Sequence, residues 1–199
     1  MIIEISSMIR LMQIYNSVGY SGRDAVRSII ENSLYGLDVS DRSAQLSYFA
    51  VMMKARRYDK RFLTRKDENG KPDVPQAKVY AICESNELSD RQWQDVFSEF
   101  DNSADRDIVK YLADAFVDAK EYGSILKLKR LDYVHTLQAW NDIEVNGAPT
   151  FTYYVVKNKV AALLEQAIVL TQKYDVVVTN PPYLASSRFS PALDTYLRQ

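Results

Sequence analysis

Ile5, Met8, Ile9 and Met12 recur at the i, i+3, i+4, i+7 spacing of an amphipathic helix, so the pattern predicts a helix over 4–17. Gly19 and Gly22 interrupt it, and a second helix is expected over 23–33. The apolar run 34–39 (LYGLDV) has strand length, with Asp38 near its carboxyl end. Ser40 and Asp41 are N-cap residue types ahead of a long helix over 42–57, which carries Ala44, Phe49, Ala50 and Met53. Residues 64–76 (TRKDENGKPDVPQ) are polar and hold Gly70, Pro72 and Pro75, which makes them a loop. Residues 78–84 (KVYAICE) read as a second strand that again ends on an acid, Glu84. Ser89 with Gln92 three residues later forms a capping box and opens a helix containing Trp93, Val96 and Phe97. Helices over 104–118 and 132–144 follow, and NGAP (146–149) closes the second of them. Between them, EYGSILKLKR (121–130) is open between loop and strand. The longest helical pattern runs over 153–172, with Val156, Val160, Leu163, Leu164, Ala167 and Leu170 along one face. Three successive valines in 175–179 (DVVVT) predict a fully buried parallel strand, which leads into Asn180-Pro181-Pro182-Tyr183.

Strands alternating with helices describe an α/β fold, built of strand–helix units around a mostly parallel sheet with several long helices. Such sheets bind ligands at the carboxyl ends of their strands, and Asp38, Glu84 and Asn180 are all expected on that edge. The composition narrows the class. At 199 residues the chain has the size of one ordinary domain, and 47% hydrophobic with 26% charged residues excludes disordered, collagen-like and disulfide-rich chains. A net charge of −1 argues against nucleic-acid binding by bulk positive charge, while leaving room for a local basic cleft. The single cysteine, Cys83, excludes an intrachain disulfide and a cysteine-rich zinc site, and suits a reducing cytoplasm. No apolar run approaches the ~20 residues that span a bilayer. The opening MIIEISSMIRLMQIY does not read as a signal peptide, because Glu4 and Arg10 interrupt it.

Some residues invite a function and have a plainer explanation. His135, between Val134 and Leu137 on an expected helix, has no second histidine or clustered cysteine beside it; it is expected to be structural or solvent-facing, and no metal site is expected. Cys83 is expected to be a small buried hydrophobe. Lys54, Arg56, Arg57, Lys60, Arg61, Arg65 and Lys66 form a basic run, open between a phosphate contact and a solvated helix end, the second being the more frequent.

The NPPY segment carries the chemistry. Successive prolines fix φ and remove two N–H donors, leaving their carbonyls as acceptors at a defined position. Asn180 adds a side-chain carbonyl acceptor, and Tyr183 a flat face. Two acceptors and a stacking ring suit a planar substrate bearing an NH₂ group. Accepting both amino hydrogens localises the nitrogen lone pair and makes that nitrogen a better nucleophile.

The segment YDVVVTNPPYL resembles the catalytic motif of amino-methyltransferases that use S-adenosylmethionine, most commonly the N6-adenine DNA methyltransferases. Segments 34–56 (LYGLDVSDRSAQLSYFAVMMKAR), 80–88 (YAICESNEL), 116–128 (FVDAKEYGSILKL) and 163–183 (LLEQAIVLTQKYDVVVTNPPY) are similar to the large adenine methyltransferases of BREX-type phage-exclusion systems, the PglX family. The resemblance implies an incomplete Rossmann-like class I methyltransferase fold. Residues 1–199 would be a partial catalytic domain, with an inserted helical segment at approximately 89–150. It implies that Asp38 accepts hydrogen bonds from the cofactor ribose, and that Glu84 with Ser85 lies near the cofactor adenine or its amino group. Asn180 and the Pro181 carbonyl, stiffened by Pro182, would hold the target amine, with Tyr183 stacked on the base. The base must first leave the duplex, at a cost of a few kcal/mol. The cofactor then supplies a methyl electrophile. The implied partners are double-stranded DNA and other phage-defence proteins.

The chain also departs from the family. A glycine-rich cofactor loop of the type DPACGSGH precedes the family's first helix, and none of the glycines at 19, 22, 36, 70, 123 and 147 forms one. The chain also ends 16 residues after Tyr183. A central fragment is therefore expected, with no methyltransferase activity by itself, weak or absent S-adenosylmethionine binding, and dimerisation through exposed strand edges. Two alternatives stand beside this reading: a catalytically inactive scaffold or split subunit, and an enzyme that methylates a protein glutamine amide.

Overall fold

In the computed structural model, residues 2–143 and 150–179 are described. The chain divides into two units, residues 1–81 and 82–199.

In the first unit, helix α1 (Ile2–Ser17) stops at Gly19, whose φ of 94° turns the chain where an L side chain would be strained. Helix α2 (Gly22–Ser28) is capped by Ser21, whose hydroxyl accepts the Asp24 N–H. It runs on as a π-helical turn, Ile29–Ser33, closed by the Leu34 N–H on the Ile29 carbonyl. Strand β1 (Tyr35–Asp38), helix α3 (Asp41–Tyr58) and strand β2 (Lys78–Ala81) then form a strand–helix–strand crossover. The strands pair in parallel, Tyr35 opposite Lys78 through to Asp38 opposite Ala81. Helix α3 packs on both strands. Met8, Met12, Ala25, Val26, Ile29, Ile30, Val51, Ala55 and Phe62 fill the core.

The structure adds one feature that the pattern left open and changes one expectation. The buried stripe of α3 is Ala44, Ser47, Val51, Met52 and Ala55, while Phe49 and Met53 are exposed. An apolar residue is buried only where a neighbouring element covers its face of the helix, and the sheet covers the other one. Strand β2 stops at Ala81 rather than Glu84, because its partner β1 ends at Asp38, opposite Ala81, and a 3-10 helix, Ser85–Glu87, follows.

Ion pairs fasten the long loop between α3 and β2. The Arg27 guanidinium forks onto both Asp73 oxygens at 2.8 Å, and Arg65 reaches Asp59 at 2.6 and 2.9 Å. Burial opposes ionisation of Asp59, but hydrogen bonds from Arg65 and the Arg61 amide prevail and hold its carboxyl below the usual range. Arg27 does the same for Asp73.

The second unit is helical: α4 (Asp90–Ser98), α5 (Ser103–Ala115), α6 (Ala119–Tyr122), α7 (Tyr133–Asp142) and α8 (Phe151–Thr171). Its helix starts follow local rules. Ser89 and Gln92 make the reciprocal capping box, and Asn102, Asp132 and Thr150 cap α5, α7 and α8. Segment 121–130 forms the end of α6 and a 3-10 turn, Gly123–Ile125, and contains no strand. Helices α5, α7 and α8 pack pairwise around Val109, Leu112, Phe116, Trp140, Val160, Leu163, Leu164 and Ala167. Phe100 stacks on Trp140 with centroids 5.3 Å apart. A polar bond crosses this core: Asp105, 3% exposed, accepts the Thr136 hydroxyl at 2.6 Å. His135 Nδ1 lies 3.1 Å from the same oxygen, with its side chain half in solvent.

Residues 175–179 are not the buried parallel strand that the three valines predict. They enter no ladder among the described residues, and Val176, Val177 and Val178 are 77%, 74% and 58% exposed. Burying a strand's N–H and C=O groups requires partners such as a neighbouring strand, so β-branched composition alone does not bury it.

Candidate functional site

Asp38 ends β1, and the chain leaves the sheet through Val39 and Ser40 into α3. The Ser40 N–H donates to Asp38 Oδ1 at 2.8 Å, while the Ser40 hydroxyl caps α3 by accepting the Ser43 N–H. Capping thus falls to Ser40, and a half-buried carboxylate stands at the carboxyl end of a parallel strand, its Oδ2 without a hydrogen bond among the described residues. Ala81 is its register partner on β2. Beside this edge lies a hollow of about 250 Å³ lined by Asp41, Ala44, Gln45, Tyr48, Val79 and Ala81. Gln45 and Tyr48 were not picked out from the sequence. The signal that finds them is their spacing, four and seven residues beyond Asp41, which places all three on one face of α3. Tyr48 also bonds Gln76.

Glu84 and Ser85 belong to the second unit. Glu84 is half-buried and its Oε1 accepts the Lys120 N–H at 3.2 Å. Ser85 is 1% exposed: its hydroxyl donates to the Ala113 carbonyl at 2.6 Å and its N–H to the Phe116 carbonyl at 3.0 Å. Its own carbonyl accepts the Trp93 indole N–H at 3.2 Å. Ser85 therefore ties the 3-10 turn to α4 and α5. Cys83 is half-buried rather than a plain core residue. The buried side chain of Gln166 accepts the Cys83 N–H at 2.9 Å and donates to its Sγ at 3.0 Å. Asn180, Pro181, Pro182 and Tyr183 lie outside the described residues.

The Asp38 environment fits the ribose end of S-adenosylmethionine: a strand-end carboxylate with a spare oxygen accepts from a hydroxyl, and an adjoining hollow offers room. Among the described residues, no group of three or more His, Cys, Asp or Glu gathers at metal-binding separation, and no helix is long and apolar enough to cross a membrane.

Along the chain, a strand-end acid and a crossover helix precede the NPPY sequence. Residues 32–199 match the Eco57I restriction-modification methylase family, and the chain belongs to it. It is 30% identical to the adenine-specific methyltransferase BrxX of Escherichia coli O9:H4 (strain HS), over 95% of this chain and 17% of that protein. It is also 30% identical to the adenine-specific methyltransferase PglX of Lacticaseibacillus casei (strain Zhang), over 94% of this chain and 15% of that protein. The chain thus spans about one sixth of the length of the curated relatives it matches. The structure is mostly helical with a two-stranded parallel sheet, a partial α/β arrangement.

Proposed function

We propose that this chain is a segment of the catalytic domain of an S-adenosylmethionine-dependent methyltransferase that modifies the adenine N6 amine in DNA, of the BREX type. The observation that carries the proposal is the family match across residues 32–199, which spans both Asp38 and the NPPY motif. The fold would be the Rossmann-like class I arrangement in part, with the helices from about 89 to 150 as an insertion within one domain.

S-adenosylmethionine, when bound, supplies a sulfonium-activated methyl group. This chain's residues do the holding. Asp38 would accept from a ribose hydroxyl, with the Ser40 N–H fixing its Oδ1. Glu84, whose Oε1 accepts the Lys120 amide, would lie with Ser85 beside it near the cofactor adenine or its amino group. Asn180 and the Pro181 carbonyl accept both hydrogens of the target amine, Pro182 stiffens the loop, and Tyr183 stacks on the extruded base.

In cells expressing the gene that carries this segment, mass spectrometry of the DNA should detect N6-methyladenine. Asn180→Ala should lower it by about 100-fold or more, the scale for losing a group aimed at the reacting centre. DNA without N6-methyladenine would overturn the reading, and methylation found instead on a protein glutamine would favour the amide enzyme. For the isolated 199-residue chain we expect weak or absent cofactor binding, since its glycines form no cofactor loop. Calorimetry showing micromolar affinity would refute that. Association of copies through strand edges is read by light scattering, a monomeric profile counting against it.

A further inference from the structure

We propose that the basic cluster at the carboxyl end of α3 grips the phosphate backbone of duplex DNA at a distance from the reacting edge. Arg56 and Arg57 lie in the last turn of α3, and Lys60 and Arg61 follow directly beyond it; all four are exposed. Exposed Arg23 joins them from α2, whose first residue, Gly22, would bring a Cβ within 3.9 Å of the Tyr58 carbonyl.

Two acids of this unit are already committed to arginines outside the cluster. Asp59 is taken by Arg65 at 2.6 Å and by the Arg61 amide at 3.1 Å, and Asp73 by Arg27. Among the described residues, none of Arg56, Arg57, Lys60 and Arg61 has a carboxylate within ion-pair distance. A solvated helix end accounts for only part of this. The partial charge at a helix carboxyl terminus is about half an elementary charge, which matches one cation, not four. The remaining cations have no partner on this chain among the described residues and are open to an external anion. Three of the four cations are arginines, whose planar forks suit phosphate oxygens. Duplex DNA presents about one negative charge per 1.7 Å of its axis, so neighbouring cations meet neighbouring phosphates.

Position excludes a role in the chemistry. The 18 residues of α3 span roughly 27 Å at about 1.5 Å per residue, and they separate the cluster from Asp38. Contacts there would hold the flanking backbone and add affinity independent of sequence. The inference rests on the DNA reading above.

The test is the salt dependence of binding by this chain to a short labelled duplex, followed by fluorescence anisotropy between about 50 and 200 mM salt. Arg57→Gln with Arg61→Gln should make the slope of log K against log salt shallower by about 1.8, at about 0.9 per lost phosphate contact. The double variant should melt as the parent does, since both side chains are exposed. A control pair, Arg10→Gln with Arg91→Gln, removes two exposed cations from α1 and α4 and should leave the slope unchanged. A parental slope in the double variant, an equal change in the control pair, or no duplex binding at the lowest salt would each overturn the assignment. None of these touches the N6-methyladenine measurement, which tests the methyltransferase reading separately.

Discussion

Two apolar runs of strand length behave oppositely in this protein. Residues 35–38 pair in parallel with 78–81 and lie half-buried against α3. Residues 176–178, richer in β-branched side chains, stand in solvent with no ladder among the described residues. By composition the second run is the stronger strand. The first forms because α3 carries the chain back to lay a second strand beside it, giving both backbones their partners. Strand formation is therefore a property of the pair, and composition only makes a segment eligible.

The largest test of that contrast compares the two environments by substitution. Ile29 is fully buried, and its carbonyl closes the turn leading into β1. Ile29→Ala should cost about 2–5 kcal/mol in urea unfolding followed by circular dichroism. A loss under about 1 kcal/mol would mean that the core beneath the paired strands is not close-packed.

Two carboxylates, one in each unit, should respond to pH with opposite signs. Asp59 is held below its ordinary value, so the unfolded chain takes up the proton first. Its stabilising contribution is present above about pH 4 and is lost as the pH falls through the depressed folded value. Glu165, on α8, is pushed up by burial, so the folded chain takes up the proton first and stability is lost as the pH rises through the raised value. Asp59→Asn should therefore flatten the acid limb of a melting-temperature profile. Glu165→Gln should raise the melting temperature near pH 7 and leave it unchanged near pH 4. An equal shift at both pH values would show that ionisation of Glu165 is not what burial opposes.

The smallest effect belongs to the exposed run. Val177→Thr should fall within about 0.5 kcal/mol, the range for surface positions. Both tryptophans, Trp93 and Trp140, lie in the second unit, so fluorescence-detected unfolding reports on it directly. A cost above about 1 kcal/mol would break the comparison by showing that this valine is covered in solution.

Part of the fold was legible in the sequence, and the division follows distance along the chain. Helix starts were readable because each cap and its partner lie within four residues: Ser40 with Ser43, Ser89 with Gln92, Asp132 with His135. Asp38 at a strand end, ahead of a helix, was readable for the same reason. The family was readable from Asn180 through Tyr183 and the segments around them, where residue type itself carries the signal. What stayed hidden depends on remote partners. Ser85 donates to a carbonyl 28 residues away, Asp105 is satisfied 31 residues away, and Cys83 meets a glutamine 83 residues away.

By itself, then, the sequence determined the helices, their caps, the strand-end acid and the methylase family, because local hydrogen bonds and residue chemistry suffice for those. Only the tertiary structure decided which face of α3 is buried, where β2 stops, that Ser85 is spent inside its own unit, and that three valines in a row remain in water. Burial and strand pairing need a second segment, and only the folded chain brings one.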